Sequence, residues 1–441
     1  MSKKQKEKAV PKSRLSRFGR VARMAAGVAT GVVGEGVKQL SQGNRPKVKD
    51  LFLTPANARR VANQLSAMRG AAMKVGQLLS MEASELLPPE LAEILAQLRN
   101  KAFSMPRAQL EQSLIDAYGD DYLERFTHFE YQPLAAASIG QVHRATTLDG
   151  EEIVLKIQYP GVAESIDSDV DNIASLLKIS NLLPKHLDIT NLLNDAKKQL
   201  HEEADYLREA KYLSSFYETL KNESAFIVPK PYPNLSTKKI LAMSYVEGEA
   251  IESFTDETQH DADQLMTHLF DLMFRELFEL KLMQTDANFA NYQYQSGHNK
   301  IILLDFGATR TFKVNFTVNY KRLIRAVVAQ DDQAVLAAAD LLGYQATSAD
   351  PEYQELLVQI FYIALEPFSF NGDYDFAQAR ISERLSDLSD DAYGFKDFWQ
   401  MPPTDILYLH RKLGGLYLLA TRIGARVNCQ QGITPWIKTL R

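Results

Sequence analysis

Apolar residues along the chain follow two periods, and the change between them marks its organisation. From Thr54 onward, Val61, Leu65, Met68, Ala72, Val75 and Leu79 recur in steps of four and three, the spacing of one helix face. Two more helices are expected, at about 88–98 and 106–118. Near Phe126 strands take over. Pro133 precedes the small-residue run from Leu134 to Ala145, and Asp149-Gly150 supplies a hairpin turn. The next strand, 151–159, alternates: Ile153, Leu155 and Ile157 share one face, and Val154, Lys156 and Gln158 share the other. A single helix is expected over about 190–220, then a break at the Pro229–Pro233 cluster, a strand over 239–246 and helices over 261–282. The remainder is mainly helical in pattern. Residues 405–425, with Leu407, Leu409, Leu413, Leu416, Leu419 and Ile423, read as a buried helix, and its Leu409-His410-Arg411-Lys412 corner reads as structural.

Composition narrows the class without naming a function. At 441 residues, 45% hydrophobic and 24% charged, the chain has enough apolar material for two or three folded lobes rather than a disordered polymer. A net charge of −5 gives no reason to expect a nucleic-acid partner. The single Cys429 excludes an intramolecular disulfide and a cysteine-built zinc site, which fits a reducing compartment. No apolar run reaches the length of a membrane span. The charge is unevenly spread, however. Residues 1–23 carry Lys3, Lys4, Lys6, Lys8, Lys12, Arg14, Arg17, Arg20 and Arg23 against Glu7, and the small apolar stretch 24–37 follows, with Gly27 and Gly31 at GxxxG spacing. Two readings stay open here: attachment to an anionic membrane surface, and a solubilising tail ahead of a packing segment.

The chemistry concentrates between Met283 and Gly307. Asp286, Asn291 five residues later, and the strand ending in Asp305-Phe306-Gly307 have the spacing of the metal and nucleophile half of a kinase-type phosphoryl-transfer site. Asp305 and the Asn291 amide oxygen are hard ligands for Mg²⁺, and Asp286 would orient or deprotonate the attacking hydroxyl or water. Such a site needs a lysine, and Lys156 is placed to reach the α- and β-phosphates of ATP. One hairpin earlier lies a loop of Ala135, Ala136, Ala137 and Ser138 with Gly140, small residues expected to lie over those phosphates. Alanine resists positive φ, so this loop is expected to be stiffer than a glycine-rich one. Crowded acids at Glu203, Asp205 and Glu209 call for cations. Glu209 is expected to pair with Lys156, leaving Glu203 and Asp205 to meet the helix bearing Lys74-Val75-Gly76-Gln77, whose Lys74 and Gln77 lie off its packing seam. Met243 and Val246, at the joint after the last strand, are expected near the adenine ring.

These residues stand in the order and spacing of a known group. The Lys74-Val75-Gly76-Gln77 string, the Ala-rich loop, Glu203-Ala204-Asp205, Thr285-Asp286 with Asn291, and Asp305-Phe306-Gly307-Ala308-Thr309-Arg310 resemble the UbiB-type atypical kinases, in their coenzyme Q (ubiquinone) biosynthesis branch of AarF-like kinases and ATPases. The resemblance covers about residues 14–429. It implies an α+β, bilobal protein-kinase-like fold with an N-terminal helical extension and a largely helical C-lobe. The corresponding segments would be a basic, small-apolar stretch at 1–45, the extension with Lys74, Gly76 and Gln77 at 46–125, an N-lobe at 126–248 and a C-lobe at 249–441. It further implies ATP and Mg²⁺ as cofactors, and quinone-lipid precursors, an anionic membrane surface and other ubiquinone-biosynthesis proteins as partners. The expected location is cytoplasmic and peripheral at the inner membrane in a bacterium, or on the matrix side in a mitochondrion. The C-terminal membrane-spanning pair of some bacterial members has no counterpart in the sequence. No Ala-Pro-Glu follows Asp305, and the next proline is Pro351, so a peptide-binding platform is not recognisable. ATP hydrolysis or transfer to a small or lipid-like acceptor is therefore the expected activity, with a protein Ser/Thr kinase and a nucleotide-binding pseudokinase scaffold as the alternatives.

Overall fold

The computed structural model describes residues 75, 105–179, 190–251, 254, 258–286, 288–295, 299–392 and 403–438. Val75 is helical and buried. Lys74, Gly76 and Gln77, the basic segment and the helix expected at 88–98 lie outside the described residues. The chain divides into two compact units, one of Met1–Lys211 with Lys230–Tyr245, the other of Tyr212–Pro229 with Val246–Arg441.

In the first unit, helix α1 (Arg107–Tyr118) buries Leu110, Leu114 and Tyr118, one residue per turn of a single face, and stops at Gly119, whose φ of 95° only glycine adopts cheaply. Strands β1 (Phe126–Phe129), β2 (Ala135–Ala136), β3 (Gly140–Thr147) and β4 (Glu152–Gln158) follow. Helices α2 (Val162–Ile179), α3 (Thr190–Ala204) and α4 (Tyr206–Leu220) come next; strand β5 (Phe226–Ile227) belongs to the second unit, and β6 (Ile240–Ser244) returns to the first. The sheet is antiparallel in the order β1-β3-β4-β6, with β2 also on β3. Its alternation is the expected one. Ile153, Leu155, Ile157, Ala145, Ile240 and Ala242 form one core with Leu110, Leu114 and Tyr118 of α1, which leaves Lys156 and Gln158 to the opposite face.

Two polar side chains sit on the core face as well. Gln141 accepts from the Met105 backbone N–H at 2.7 Å and donates to His143 Nε2 at 2.8 Å, while His143 Nδ1 donates to the Glu130 carbonyl at 3.0 Å. Burial pushes the His143 pKa down to about 4, so the ring is neutral and its two nitrogens divide cleanly into one donor and one acceptor.

The structure corrects the single helix expected over 190–220. Asp205 interrupts it: its carboxylate accepts the Arg208 backbone N–H at 3.0 Å and caps a new helix, α4. An aspartate competes with the helical backbone for its own hydrogen bonds, so a residue that looks like part of an acidic stripe ends one helix and starts another.

In the second unit, β7 (Glu249–Ala250) precedes α5 (Gln259–Arg275), which opens with a reciprocal Thr258–Asp261 capping box and widens into a π-turn over Glu276–Leu280. Strands β8 (Leu282–Gln284), β9 (Tyr292–Gln295), β10 (Lys300–Leu303) and β11 (Thr309–Thr311) carry the segment of chemical interest. One sheet runs β5-β10-β9-β7, and β8 pairs separately with β11. The longer helices beyond are α6 (Val314–Ala329), α7 (Asp332–Leu342), α8 (Pro351–Ala364), α9 (Ile381–Ala392), α10 (Thr404–Ile423) and α11 (Cys429–Ile437). Helix α10 buries Leu409, Leu413, Leu416 and Leu419 as its periodicity predicts, but Leu407 and Ile423 are only half-buried and Ile406 takes the inward position at its start. Among the described residues no helix is long and apolar enough to cross a membrane.

Candidate active site

In the first unit, Lys156 rises from the non-core face of β4, and its ammonium donates to both carboxylate oxygens of Glu209, at 2.7 and 3.0 Å. The two side chains are 10% and 1% exposed, so this is a desolvated, two-point ion pair rather than a surface contact. The ring of Tyr206, fully buried one turn before Glu209, lies 5.3 Å from the ammonium. Helix geometry explains the placement: Asp205 caps α4, Tyr206 opens it, and Glu209 falls in its first turn.

The small-residue loop is a tight hairpin. Ala135 and Ala136 are exposed and pair with Val142 and Gln141, and the Ala137 N–H reaches back to the Gly140 carbonyl at 2.9 Å. Ser138 donates to Glu203 at 3.0 Å. Gly140 is buried, and a Cβ there would stand 2.3 Å from the Ile157 carbonyl oxygen and 3.1 Å from the Tyr206 hydroxyl. This glycine is demanded by the close approach of β3 to β4 and α4. Asp205, besides capping α4, is exposed. Met243 is buried on β6 opposite Val154 in the first unit, and half-buried Val246 begins the second.

In the second unit the backbone assembles Asp286, Asn291 and Asp305. Strand β8 delivers the chain to Thr285, which binds the Ala308 carbonyl through both its N–H (3.3 Å) and its hydroxyl (2.8 Å). The β8–β11 pairing, with Gln284 opposite Thr309, continues that tie. The Leu304 N–H donates to the Asn291 carbonyl at 3.1 Å, which sets Asn291 beside the residue before Asp305. Asp305 accepts the Gly307 N–H at 2.9 Å, and Phe306 is buried against Phe216 with ring centroids 4.9 Å apart.

Both oxygens of the Asp286 carboxylate are engaged: Oδ2 accepts from the Asn291 amide at 3.0 Å and Oδ1 from the Arg411 guanidinium at 2.8 Å. Asn291 spends its nitrogen on Asp286, so its amide oxygen, with the Asp305 carboxylate that also accepts the Gly307 N–H, could hold a divalent cation. Mg²⁺ takes one or two protein oxygens and completes its shell with water and phosphate, so this donor set fits it.

Arg411 gives its helix corner a contact that the sequence did not indicate, the carboxylate of Asp286. Nothing in the sequence placed a residue 125 positions away against Asp286; the only signal was a charged pair, Arg411-Lys412, inside a strongly apolar helix. Arg411 is 8% exposed and Lys412 4%. The Lys412 ammonium donates to the Tyr292 hydroxyl at 2.6 Å and to Gln284 at 3.4 Å, and lies 3.7 Å from the Glu276 carboxylate. Burial opposes the charge on Lys412, but Glu276 and Tyr292 hold its proton and the balance is upward; burial likewise pushes the Glu276 carboxyl and the Tyr292 phenol up. The π-turn carries Glu276 to this position, where it also accepts the Gln284 N–H at 3.3 Å. Residues on both flanks of Asp286 and Asn291 are thus tied to α10 and to the end of α5.

A buried lysine–glutamate pair on a strand and helix, together with Asp286, Asn291 and Asp305 in the spacing of a phosphoryl-transfer site, fits a protein-kinase-like protein. The chain belongs to the ABC1 atypical kinase-like family, whose domain matches residues 97–339. The mitochondrial atypical kinase COQ8 of Saccharomyces cerevisiae is 37% identical over 96% of this chain and 85% of its own length. A probable serine/threonine-protein kinase of Dictyostelium discoideum, abkA, is 35% identical over 96% of this chain and 79% of its own. Among solved structures, the complex of Rv3197 with erythromycin from Mycobacterium tuberculosis matches with a TM-score of 0.60 at 24% identity, covering 86% of this chain and 96% of that one, a likeness of fold.

Proposed function

We propose that the protein is a Mg²⁺-dependent ATP-binding atypical kinase or ATPase that supports ubiquinone biosynthesis at a membrane surface. The observation that carries this reading is the Asp286 carboxylate, clamped between Asn291 and Arg411 and held by the Thr285–Ala308 contacts on the segment that follows Asp305. A carboxylate fixed on both oxygens is suited to orienting a small nucleophile, water or a hydroxyl, rather than swinging to meet a bulky one. Lys156, aimed by Glu209, would hold the nucleotide's α- and β-phosphates beneath the 135–140 hairpin. Asn291 and Asp305 would hold Mg²⁺, which supplies charge neutralisation at the phosphates. The adenine ring would dock near Met243 and Val246. Similarity to mitochondrial atypical kinases named COQ8 supports the place in quinone-lipid biosynthesis.

The second reading, a protein Ser/Thr kinase, draws on the name of the Dictyostelium relative. One assay separates the two: ADP release by the full-length chain, with and without Mg²⁺ and with and without anionic liposomes carrying a phenolic quinone precursor, beside phosphate transfer to generic peptides. Mg²⁺-dependent ADP release that Asp305→Asn abolishes is expected. ADP release indifferent to that substitution, or peptide phosphorylation outrunning hydrolysis, overturns the proposal.

A further inference from the structure

Gln158 is a buried polar residue that no step above uses. It is 4% exposed and lies two residues beyond Lys156 on the same face of β4. Its side-chain amide donates to the Ala204 carbonyl at 2.6 Å and to the Lys238 carbonyl at 3.4 Å. Ala204 is the last residue of α3, where a carbonyl has no partner within its helix. The next residue, Asp205, caps α4, and Glu209 follows in the first turn. A two-residue strand repeat of about 6.7 Å is close to the rise of one helical turn, about 5.4 Å. One strand face can therefore meet the α3–α4 junction with Gln158 and the first turn of α4 with Lys156. Tyr206 fills the space between, buried against Gly140 and beside the Lys156 ammonium.

We infer that Gln158 is a positioning residue: with Lys156 it forms a two-point clamp that fixes the start of α4 against β4 and holds the Lys156–Glu209 pair closed without a separate activating event. In kinase-type sites that pair must be in place before phosphoryl transfer, and the helix bearing the glutamate is the usual part to move. Here the junction ahead of that helix is pinned by a buried amide, and the Ser138–Glu203 bond adds a tie from the hairpin to the end of α3. A slide of α4 along β4 would break the Gln158–Ala204 bond and cost the buried Gln158 amide that partner.

The inference rests on the nucleotide reading for its meaning but not for its test. In the full-length chain without nucleotide, reductive methylation of Lys156 is followed by mass spectrometry in the wild type, in Gln158→Met, which keeps length and removes the donor, and in Gln158→Leu, a second uncharged replacement without a donor. One lost hydrogen bond predicts a roughly three- to tenfold rise in Lys156 labelling in both variants. The KM for ATP should rise by a similar factor while kcat changes less. If the methionine variant does not fold, the leucine variant carries the comparison alone. Wild-type labelling of Lys156 in a folded variant overturns the clamp. Raised labelling in a chain without ATP turnover upholds the clamp and removes the ATPase reading instead.

Discussion

Lys156→Met removes the cation from a pair in which Glu209 is 1% exposed and bound through both oxygens. The methionine fills the same space, so the loss is electrostatic: a carboxylate stays buried with its partner gone. Breaking a buried pair from one side typically costs about 3–5 kcal/mol. Glu209→Leu, made alone, strands the ammonium instead and should cost a comparable amount. Combining the two leaves neither charge buried, and replacing a whole buried pair by apolar residues is often close to neutral. The cycle is therefore expected to be strongly non-additive, with the double variant more stable than either single one by a few kcal/mol. Urea unfolding followed by circular dichroism measures stability, and ADP release measures function in the same preparations. Activity should be absent in all three variants, including the stable double one, which separates the pair's catalytic use from its structural one. Additive single effects, or a Lys156→Met cost below about 1 kcal/mol, would show that the pair is solvated and the reasoning from burial wrong.

Acid stability provides another test through His143. Its imidazole takes up a proton near pH 6.5 when the chain is unfolded and only near 4 when folded, so its neutral form stabilises the fold fully above about 6.5 and that contribution is lost as the pH falls toward 4. Between pH 6.5 and 5 the wild type should lose about 1.5 kcal/mol relative to His143→Met, the slope rising toward 1.36 kcal/mol per pH unit once the unfolded imidazole is fully protonated; a stability difference that stays constant over that range in urea titrations contradicts the assignment. At Gly140 the added methyl of Gly140→Ala meets a backbone oxygen of β4, which cannot move aside without disturbing the sheet. Overpacking of this kind predicts a loss of about 1–3 kcal/mol, whereas Ser138→Ala should cost under about 1 kcal/mol; equal melting temperatures for the two variants would refute the close-approach argument.

Local pattern was enough for much of this protein. The period-two alternation of residues 151–159 put Lys156 on the face opposite Ile153, Leu155 and Ile157, because successive strand side chains must point to opposite sides, and the structure makes those three the core face. Asp149-Gly150 gave the hairpin, since Gly150 adopts the positive φ its turn requires. Asp286 and Asn291 lie five residues apart before β9, and the β9–β10 pairing returns the chain so that Asp305 follows β10 beside Asn291. These are short-range constraints, written in residues that are neighbours along the chain or one strand apart. What the tertiary structure decided is of another kind. That Asp205 ends one helix and starts the next depended on which backbone N–H its carboxylate would find. That Gly140 is required by packing, Gln158 by a helix end, and Arg411 by a carboxylate 125 residues upstream, depended on which surfaces meet when β3, β4, α4 and α10 close over their cores. Buried polar groups must find partners wherever folding puts them, and a sequence shows that demand only as a polar residue in an apolar setting, without saying which partner satisfies it.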